Sequence, residues 1–546
     1  MRFRLLFISI IVVTGCVKIF AQLPALPSPQ HILWHEMEQI MFIHFDPATW
    51  QGRGSDDHSV PLSRINPYKL DVNQWIDAAQ SFDAKMIVYV AKHVGGFCWW
   101  QTETSDYSIK NTPYKNGKGD VLDELAKACF ERGMKLGVYL YPGDETWGAY
   151  IGGGGKTKDP DKQEAYNQIL RKQWEEILSR YGKQIIELWF DGSLVVPLED
   201  IVKKYVPWPI VFQGPFANIR WVGNERGFCP YPNWYTTDSK DALTGVATAE
   251  HNDPDGDTWM PVEVDVPLKD HNWFWSSTNE TNLRSLDVLL DIYYQSVGRG
   301  AMLLLNAAPD TTGLIPTKDM ELYRQLGDEI RRRFGKSIAE TSGNGQTVEL
   351  LLGKEEIIDH CIIQEDISFG QRVRQYRIEG RTNNKWTVIA GGTSIGQKRI
   401  EHFSPVKVDA IRLKVVESTF SPVIKRLAVF NTGLVKTAEN SLGTKIEKNI
   451  GELRIVSDGQ FEFDLSSFIY LAEQYRLRFR AGDEDVRPVS ASLWLQGVET
   501  PGFATVNADG TVRINITADP DMKKGSIIIK GRFEKRPSKN CHLYIQ

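Results

Sequence analysis

The sequence is short of cysteine, of net charge and of long apolar runs. Six cysteines among 546 residues, scattered singly with no Cys-x-x-Cys pair, exclude a disulfide framework and the thiolate sets of structural zinc. A formal net charge of −5 leaves no basic footprint for nucleic acid or an anionic membrane. The N-terminal apolar run, residues 5–13 after Met1-Arg-Phe-Arg4, is too short for a membrane span and reads as a secretory signal. Two processing routes fit it: cleavage after Ala21, or lipid attachment at Cys16, where Val13-Thr-Gly-Cys16 resembles a lipobox. Either route gives a chain exported to the bacterial periplasm or lipid-anchored at the cell envelope, with no transmembrane span once mature. No serine or cysteine sits in a nucleophile elbow. Gly152-Gly-Gly-Gly-Lys-Thr157 lacks the first glycine of a phosphate-binding loop, since Tyr150 stands there, and reads instead as a loop over the mouth of the fold.

What is present is a soluble globular chain, 42% apolar and 24% charged, long enough for two to four domains. Sixteen Trp and nineteen Tyr make a carbohydrate ligand plausible, because aromatic faces stack on the C–H faces of sugars. From about residue 38 to 335, short β-branched runs alternate with amphipathic helical stretches. Candidate strands fall at residues 41–45, 86–93, 135–142, 185–191, 209–213, near 220–224, 260–266 and 302–306. Eight in order point to an α/β fold of the (β/α)8 type, a closed barrel over residues 30–338. Helices are expected at 72–82, 121–132, 161–181, 283–298 and 317–334. Beyond about residue 340 the helices stop and short alternating strands take over, which predicts C-terminal β-sandwich domains at 345–433 and 440–546 across a turn-rich join near 431–444.

Several candidate strands end on a polar residue beside an aromatic: His44, His93, Tyr139, Trp189 with Asp191, Arg220 followed by Asn224-Glu225, and Glu263. A barrel gathers its strand ends at one mouth. Acids, imidazoles and aromatics gathered without a Ser or Cys nucleophile suit glycoside hydrolysis, which needs one ionised carboxylate and one protonated carboxyl. Asp191 ends the apolar run Ile185-Ile-Glu-Leu-Trp-Phe-Asp191, and Glu225 and Glu263 both fall on later strand ends. Spacing does not choose between those two for the second role. No metal-ligand spacing is visible, and no cofactor is expected.

The ordered series Phe42-Ile-His-Phe-Asp-Pro-Ala-Thr-Trp50, Ala91-Lys-His-Val-Gly-Gly-Phe-Cys-Trp-Trp100, Gly137-Val-Tyr-Leu-Tyr-Pro142, Glu187-Leu-Trp-Phe-Asp-Gly192, Arg220-Trp-Val-Gly-Asn-Glu225, Pro261-Val-Glu263 and Ser296-Val-Gly-Arg299 resembles glycoside hydrolase family 29, the retaining α-L-fucosidases. It is most similar to the branch acting on α-1,3/1,4-linked fucose. The resemblance covers about residues 30 to 335, and residues 350–432 look like the discoidin-like sandwich that often follows these barrels. It implies a fucosylated oligosaccharide or glycoconjugate substrate, Asp191 as nucleophile and Glu225 as acid/base with Glu263 as rival. It also implies His44, His93, Tyr139, Trp189 and Arg220 as pocket lining. Two departures stand out. Val94 replaces a second histidine, and Gln51-Gly-Arg-Gly54 replaces a Glu-Trp pair, so two hydroxyl contacts are lost. A fucose-like L-sugar such as an α-L-galactoside is therefore an alternative substrate, and a non-catalytic glycan-binding barrel the alternative of a different class.

Overall fold

The structure, a computed structural model, describes residues 25–269, 272–433 and, with short interruptions, 448–545. The signal reading of residues 1–21 with Cys16 lies outside the described residues, as do residues 434–444 of the expected join.

Eight parallel strands build the first sheet: β1 (Gln39–Ile43), β2 (Met86–Lys92), β3 (Lys135–Leu140), β4 (Ile185–Trp189), β5 (Ile210–Phe212), β6 (Arg220–Trp221), β7 (Val262–Pro267) and β8 (Met302–Ala307). Their hydrogen-bonded order β5-β4-β3-β2-β1-β8-β7-β6 is the sequential winding of a (β/α)8-type barrel. Residues on one parity fill the interior, among them Ile40, Phe42, Val88, Tyr139, Trp189 and Leu304. The other parity, including Met41, Ile43, Ile87, Val138 and Leu305, packs under the helices.

The seam between β5 and β6 carries little ladder, only one parallel bridge from Phe212 to Ile219. Val211 O also accepts the N–H groups of Asn218 at 3.0 Å and Ile219 at 3.3 Å, and the Asn218 side chain adds two bonds: its Oδ1 accepts Val211 N–H at 2.7 Å, and its Nδ2 donates to Pro209 O at 2.8 Å. Strand β5 is short for local reasons. Pro209 brings no donor to its start, and Gln213 and Gly214, both at positive φ, turn the chain at its end.

The α-helices of seven residues or more among the described residues are α1 (Pro29–His35), α2 (Val72–Ser81), α3 (Val121–Glu131), α4 (Gln163–Tyr181), α5 (Glu199–Tyr205), α6 (Leu286–Gln295) and α7 (Thr317–Phe334). Asp71 and Asp120 cap α2 and α3 by accepting the N–H groups of Asn73 and Asp123, as N-caps do. Helix α6 is shorter than expected, because Ser285 caps it inside the periodic stretch. Strand β6 stops at Trp221 rather than running to residue 224, since Gly223 at φ +86° turns the chain. Helix α1 had no clear apolar period, yet it closes the barrel at the end where the strands begin. Ser28 and His31 form a capping box there, and fully buried Trp34 donates from Nε1 to Glu187 Oε2 at 2.8 Å.

Six antiparallel strands follow: β9 (Ala339–Asn344), β10 (Thr347–Glu365), β11 (Val373–Thr382), β12 (Lys385–Gly392), β13 (Arg399–Ser418) and β14 (Val423–Phe430), ordered β9-β14-β10-β13-β11-β12. Apart from residues 403–406 of β13, they belong to the same compact unit as the barrel. Tyr235, after β6, ties the two together: its hydroxyl donates to Gly300 O at 2.7 Å and accepts Gln397 N–H at 2.8 Å. Residues 403–406 and 433–546 fall in a second unit, in which, among the described residues, a six-stranded and a five-stranded sheet share a core that includes Phe461, Leu477, Phe479, Leu493, Ile529 and Leu543.

The seam yields a test. Replacing Asn218 by alanine leaves Val211 N–H without its acceptor and should lower stability by about 1–3 kcal/mol, read as a reduced urea midpoint of the full chain. A loss below about 0.5 kcal/mol would remove Asn218 from barrel closure.

Candidate active site

Strand parity decides which side chains reach the mouth, and one irregularity changes the outcome. Val88 and Val90 face inward, so a regular β2 would next send Lys92 inward and His93 out. The register with β3 shifts between Val90 and Lys92. Such a bulge reverses the alternation: Lys92 turns outward to Asp144 Oδ2 at 3.2 Å, and His93 turns to the mouth, its ring 5.9 Å from that of Tyr139.

Two residues beyond inward-facing Trp189, Asp191 adopts φ 51°, a left-handed conformation that aspartate tolerates at a cost of about 1–3 kcal/mol. Gln213 Oε1 accepts the N–H of the next residue, Gly192, which pins the turn. Tyr139 donates its hydroxyl to Asp191 Oδ2 at 2.8 Å. Asp191 is open to solvent on one side, but the protein around its carboxyl pushes its pKa up, Tyr139 opposing and the charge of Glu225 adding.

Glu225 is exposed and accepts Trp273 Nε1–H at 3.0 Å. The same indole lies 4.9 Å from the ring of His44, so Trp273 links the Glu225 loop to the β1 wall. His44 Nδ1 pairs with Asn306 Oδ1 at 2.7 Å, while Asn306 Nδ2 donates to Trp273 O at 2.8 Å. That arrangement assigns the proton to Nδ1 and leaves Nε2 as an acceptor. Burial pushes His44 down to about 3, with His93 adding, and His93 down to about 4, with Asp56 opposing. Both rings are neutral in mildly acidic and neutral water, fitted to hydroxyls rather than to anions.

Three expected lining residues are placed otherwise. Arg220 is paired in register with outward-facing Val262 and is fully buried. Its guanidinium donates to the carbonyls of Met260 and Trp234, each at 2.6 Å, so it ties loops together behind the barrel. Trp189 is covered: Phe212 stacks on it at 3.5 Å, and its Nε1 donates to Glu263 Oε1 at 2.9 Å. Glu263 lies below the mouth with no exposed surface, beside equally buried Glu187. Glu187 Oε1 and Glu263 Oε2 have no other hydrogen-bond partner. Burial pushes Glu187 up to about 7 and Glu263 well above the carboxylate range, with the charge of Glu187 adding to the latter. Two such carboxyls keep at least one proton between them.

Two mouth residues were missed in the sequence, Asp265 and Trp273. Asp265 was legible, because it follows Glu263 at a spacing of two on a strand and so shares its inward parity. Trp273 sits in a loop, where no periodicity marks it. The glycine loop does reach the mouth, where Gly152 N–H donates to Tyr141 Oη at 2.7 Å. A separate cavity of about 270 Å³, lined by His31, Trp208, Phe216 and Asn218 among others, holds none of the mouth carboxyls.

Comparison with known proteins bears on the family and the fold. The family model described as α-L-fucosidase matches residues 39–333. A putative α-L-fucosidase 1 of Oryza sativa subsp. japonica is 30% identical over 458 residues, 75% of this chain and 86% of its own length. Among solved structures, a putative α-L-fucosidase from Bacteroides thetaiotaomicron is 34% identical with TM-score 0.70, over 75% of this chain and 99% of that one. A glycoside hydrolase family 29 member from an unknown rumen bacterium is 26% identical with TM-score 0.69, over 95% and 98% respectively.

The buried acid pair sets a pH dependence of stability. A carboxyl whose pKa is higher folded than unfolded holds extra proton in the folded state between the two values, so its contribution falls as pH rises from about 4.5 through about 7. Glu263→Gln removes the titration of Glu263 and leaves that of Glu187. The wild-type urea midpoint should therefore drop between about pH 5 and about pH 8, and that of the variant should drop less. Parallel pH profiles would show that the pair does not titrate in this range.

Proposed function

The chain belongs to the α-L-fucosidase family, glycoside hydrolase family 29, and is a glycoside hydrolase; from that premise we propose that it is a retaining exo-fucosidase in which Asp191 is the nucleophile and Glu225 the acid/base. The observation that carries the reading is the pairing at the mouth. Asp191 is held by Tyr139 and open to solvent, Glu225 is held by Trp273 and exposed, and the two lie close enough for their charges to interact. Glu263 lacks exposure and has its own partners, which favours Glu225 for the second role.

In the first step Asp191 attacks the anomeric carbon, the C–O bond to the leaving sugar breaks, and the proton of Glu225 goes to the departing oxygen. Asp191 is then an uncharged ester, so Glu225 is ionised without a charged neighbour there. In the second step Glu225 takes a proton from water, the water oxygen bonds to the anomeric carbon, and Asp191 leaves as carboxylate. The neutral Nε2 of His44 accepts a ring hydroxyl, and Tyr139 keeps the nucleophile aimed.

The substrate we propose is α-1,3/1,4-linked fucose at the end of a glycan, on the strength of the motif series. A second reading, an α-L-galactoside, is favoured by Val94, which packs in an apolar cluster with Tyr139, Tyr141 and Trp189 where the family carries a hydroxyl-binding histidine. Export to the periplasm or lipid anchoring at the envelope is proposed from residues 1–21. Among the described residues no helix is long and apolar enough to cross a membrane.

Chromogenic α-L-fucoside and α-L-galactoside turnover separates the two substrates. Asp191→Asn should fold normally and lose about three or more orders of magnitude in kcat; near-normal turnover would remove Asp191 from the chemistry. Glu225→Ala should lose oligosaccharide hydrolysis while sparing aryl fucosides with good leaving groups, and azide should restore turnover as a glycosyl azide of retained configuration. Azide rescue of Glu263→Ala instead would transfer the role to Glu263.

A further inference from the structure

The mechanism above uses two carboxyls, and the mouth holds a third. Asp265 points inward from β7 on the parity of Glu263 and is 6% exposed. Its Oδ1 accepts Trp221 Nε1–H at 2.6 Å. Trp221 begins the segment that ends at Glu225, so the indole fixing Asp265 and the proposed acid ride on one short loop. The titratable groups that act on Asp265 are Glu225 from that loop, Asp191 beyond β4 and Glu263 on its own strand. Its register partner on β8 is Leu304, which carries no charge.

Glu225 presents a problem that Asp265 solves. It has to donate a proton, yet it is exposed and receives an indole N–H, a contact suited to a carboxylate. We propose that Asp265 is a positioning acid for Glu225, the two forming a couple that keeps one proton at the leaving-group side of the mouth through neutral pH. The inference rests on Glu225 being the acid/base. The step balances simply: the couple's proton passes to Glu225, directly or through one water, and from Glu225 to the departing oxygen as the glycosidic bond breaks. The water that hydrolyses the ester returns a proton to Glu225. Like charge opposes ionising both members beside Asp191. In keeping with this, burial pushes Asp265 up to about 8, Trp221 opposing and Glu225 and Asp191 adding.

The test is Asp265→Asn in the full chain, because an amide oxygen still accepts from Trp221 but carries no acidic proton. The alkaline limb of kcat/KM for a fucosyl oligosaccharide should move to lower pH by roughly one unit. At about pH 7 the loss on that substrate should exceed the loss on a 4-nitrophenyl fucoside by about tenfold, since the aryl group needs little acid help. Asp265→Glu, which restores a carboxyl, should recover part of the limb. An unmoved limb, or equal losses on both substrates at every pH, would reduce Asp265 to a structural role. Unfolding midpoints of both variants show whether either change only unfolds the mouth, in which case the Glu variant decides. Failure of the underlying reading looks different: azide would then rescue Asp265→Ala and not Glu225→Ala, making Asp265 itself the acid and overturning the couple.

Discussion

Five acids inside or at the mouth of the barrel are each met by a neutral aromatic donor. Trp34 serves Glu187, Trp189 serves Glu263, Trp221 serves Asp265, Trp273 serves Glu225, and Tyr139 serves Asp191. The choice of donor matters. A lysine or arginine would satisfy the same oxygens but would fix the carboxylate as an anion and lower its pKa. An indole N–H satisfies the hydrogen bond and leaves the charge to be set by burial and by neighbouring acids. The interior therefore keeps groups able to give and take protons, while Trp34 at one end and Trp273 at the other are held by the acids they serve. Buried cations occur elsewhere, as in Lys92 with Asp144 and Lys269 with Asp319, on the outer face of the sheet or among the loops.

Much of this was legible in the sequence. Eight strands in order, five of the crossover helices and the change to antiparallel strands near residue 340 follow from periodicity, because the barrel demands buried strands and amphipathic helices. The positions of His44, Tyr139, Asp191 and Glu225 followed from strand ends. What escaped was set by contacts between distant segments. The β2 bulge, the two-residue length of β6 and the carbonyl cage of Arg220 depend on neighbours that no local pattern announces. Arg220 was expected in the pocket from the family resemblance, but its strand is two residues long and its parity, undecided in the sequence, sets it outward.

The two departures from the family series have a structural counterpart on the β1–β2 side. Gln51 does not stand in for the absent glutamate; it donates from Nε2 to Asp56 Oδ1 at 2.6 Å, and Tyr107 donates to Asp56 Oδ2 at 2.7 Å. Asp56 is nearly fully buried, and its charge acts on His93. A β-carbon at Gly95 would come within 2.4 Å of Asp56 Oδ2, and one at Gly96 within 2.3 Å of Asp144 Oδ1, so the segment after Val94 passes between two carboxyls where only glycine fits. Val94 is thus followed by a glycine pair packed against two acids, one of which, Asp56, acts on the wall through His93.

The indole–carboxyl pairs have an optical consequence. Indole emission responds to a proton gained or lost by the group its N–H touches, so each pair converts a change of charge into a change of colour or intensity without a label. Trp273 and Trp221 sit against the exposed and the buried acid of the mouth, respectively. In the proposed mechanism, ligand entry, ester formation and water attack would each alter the charge beside one of them, so that stages of turnover would be read as light.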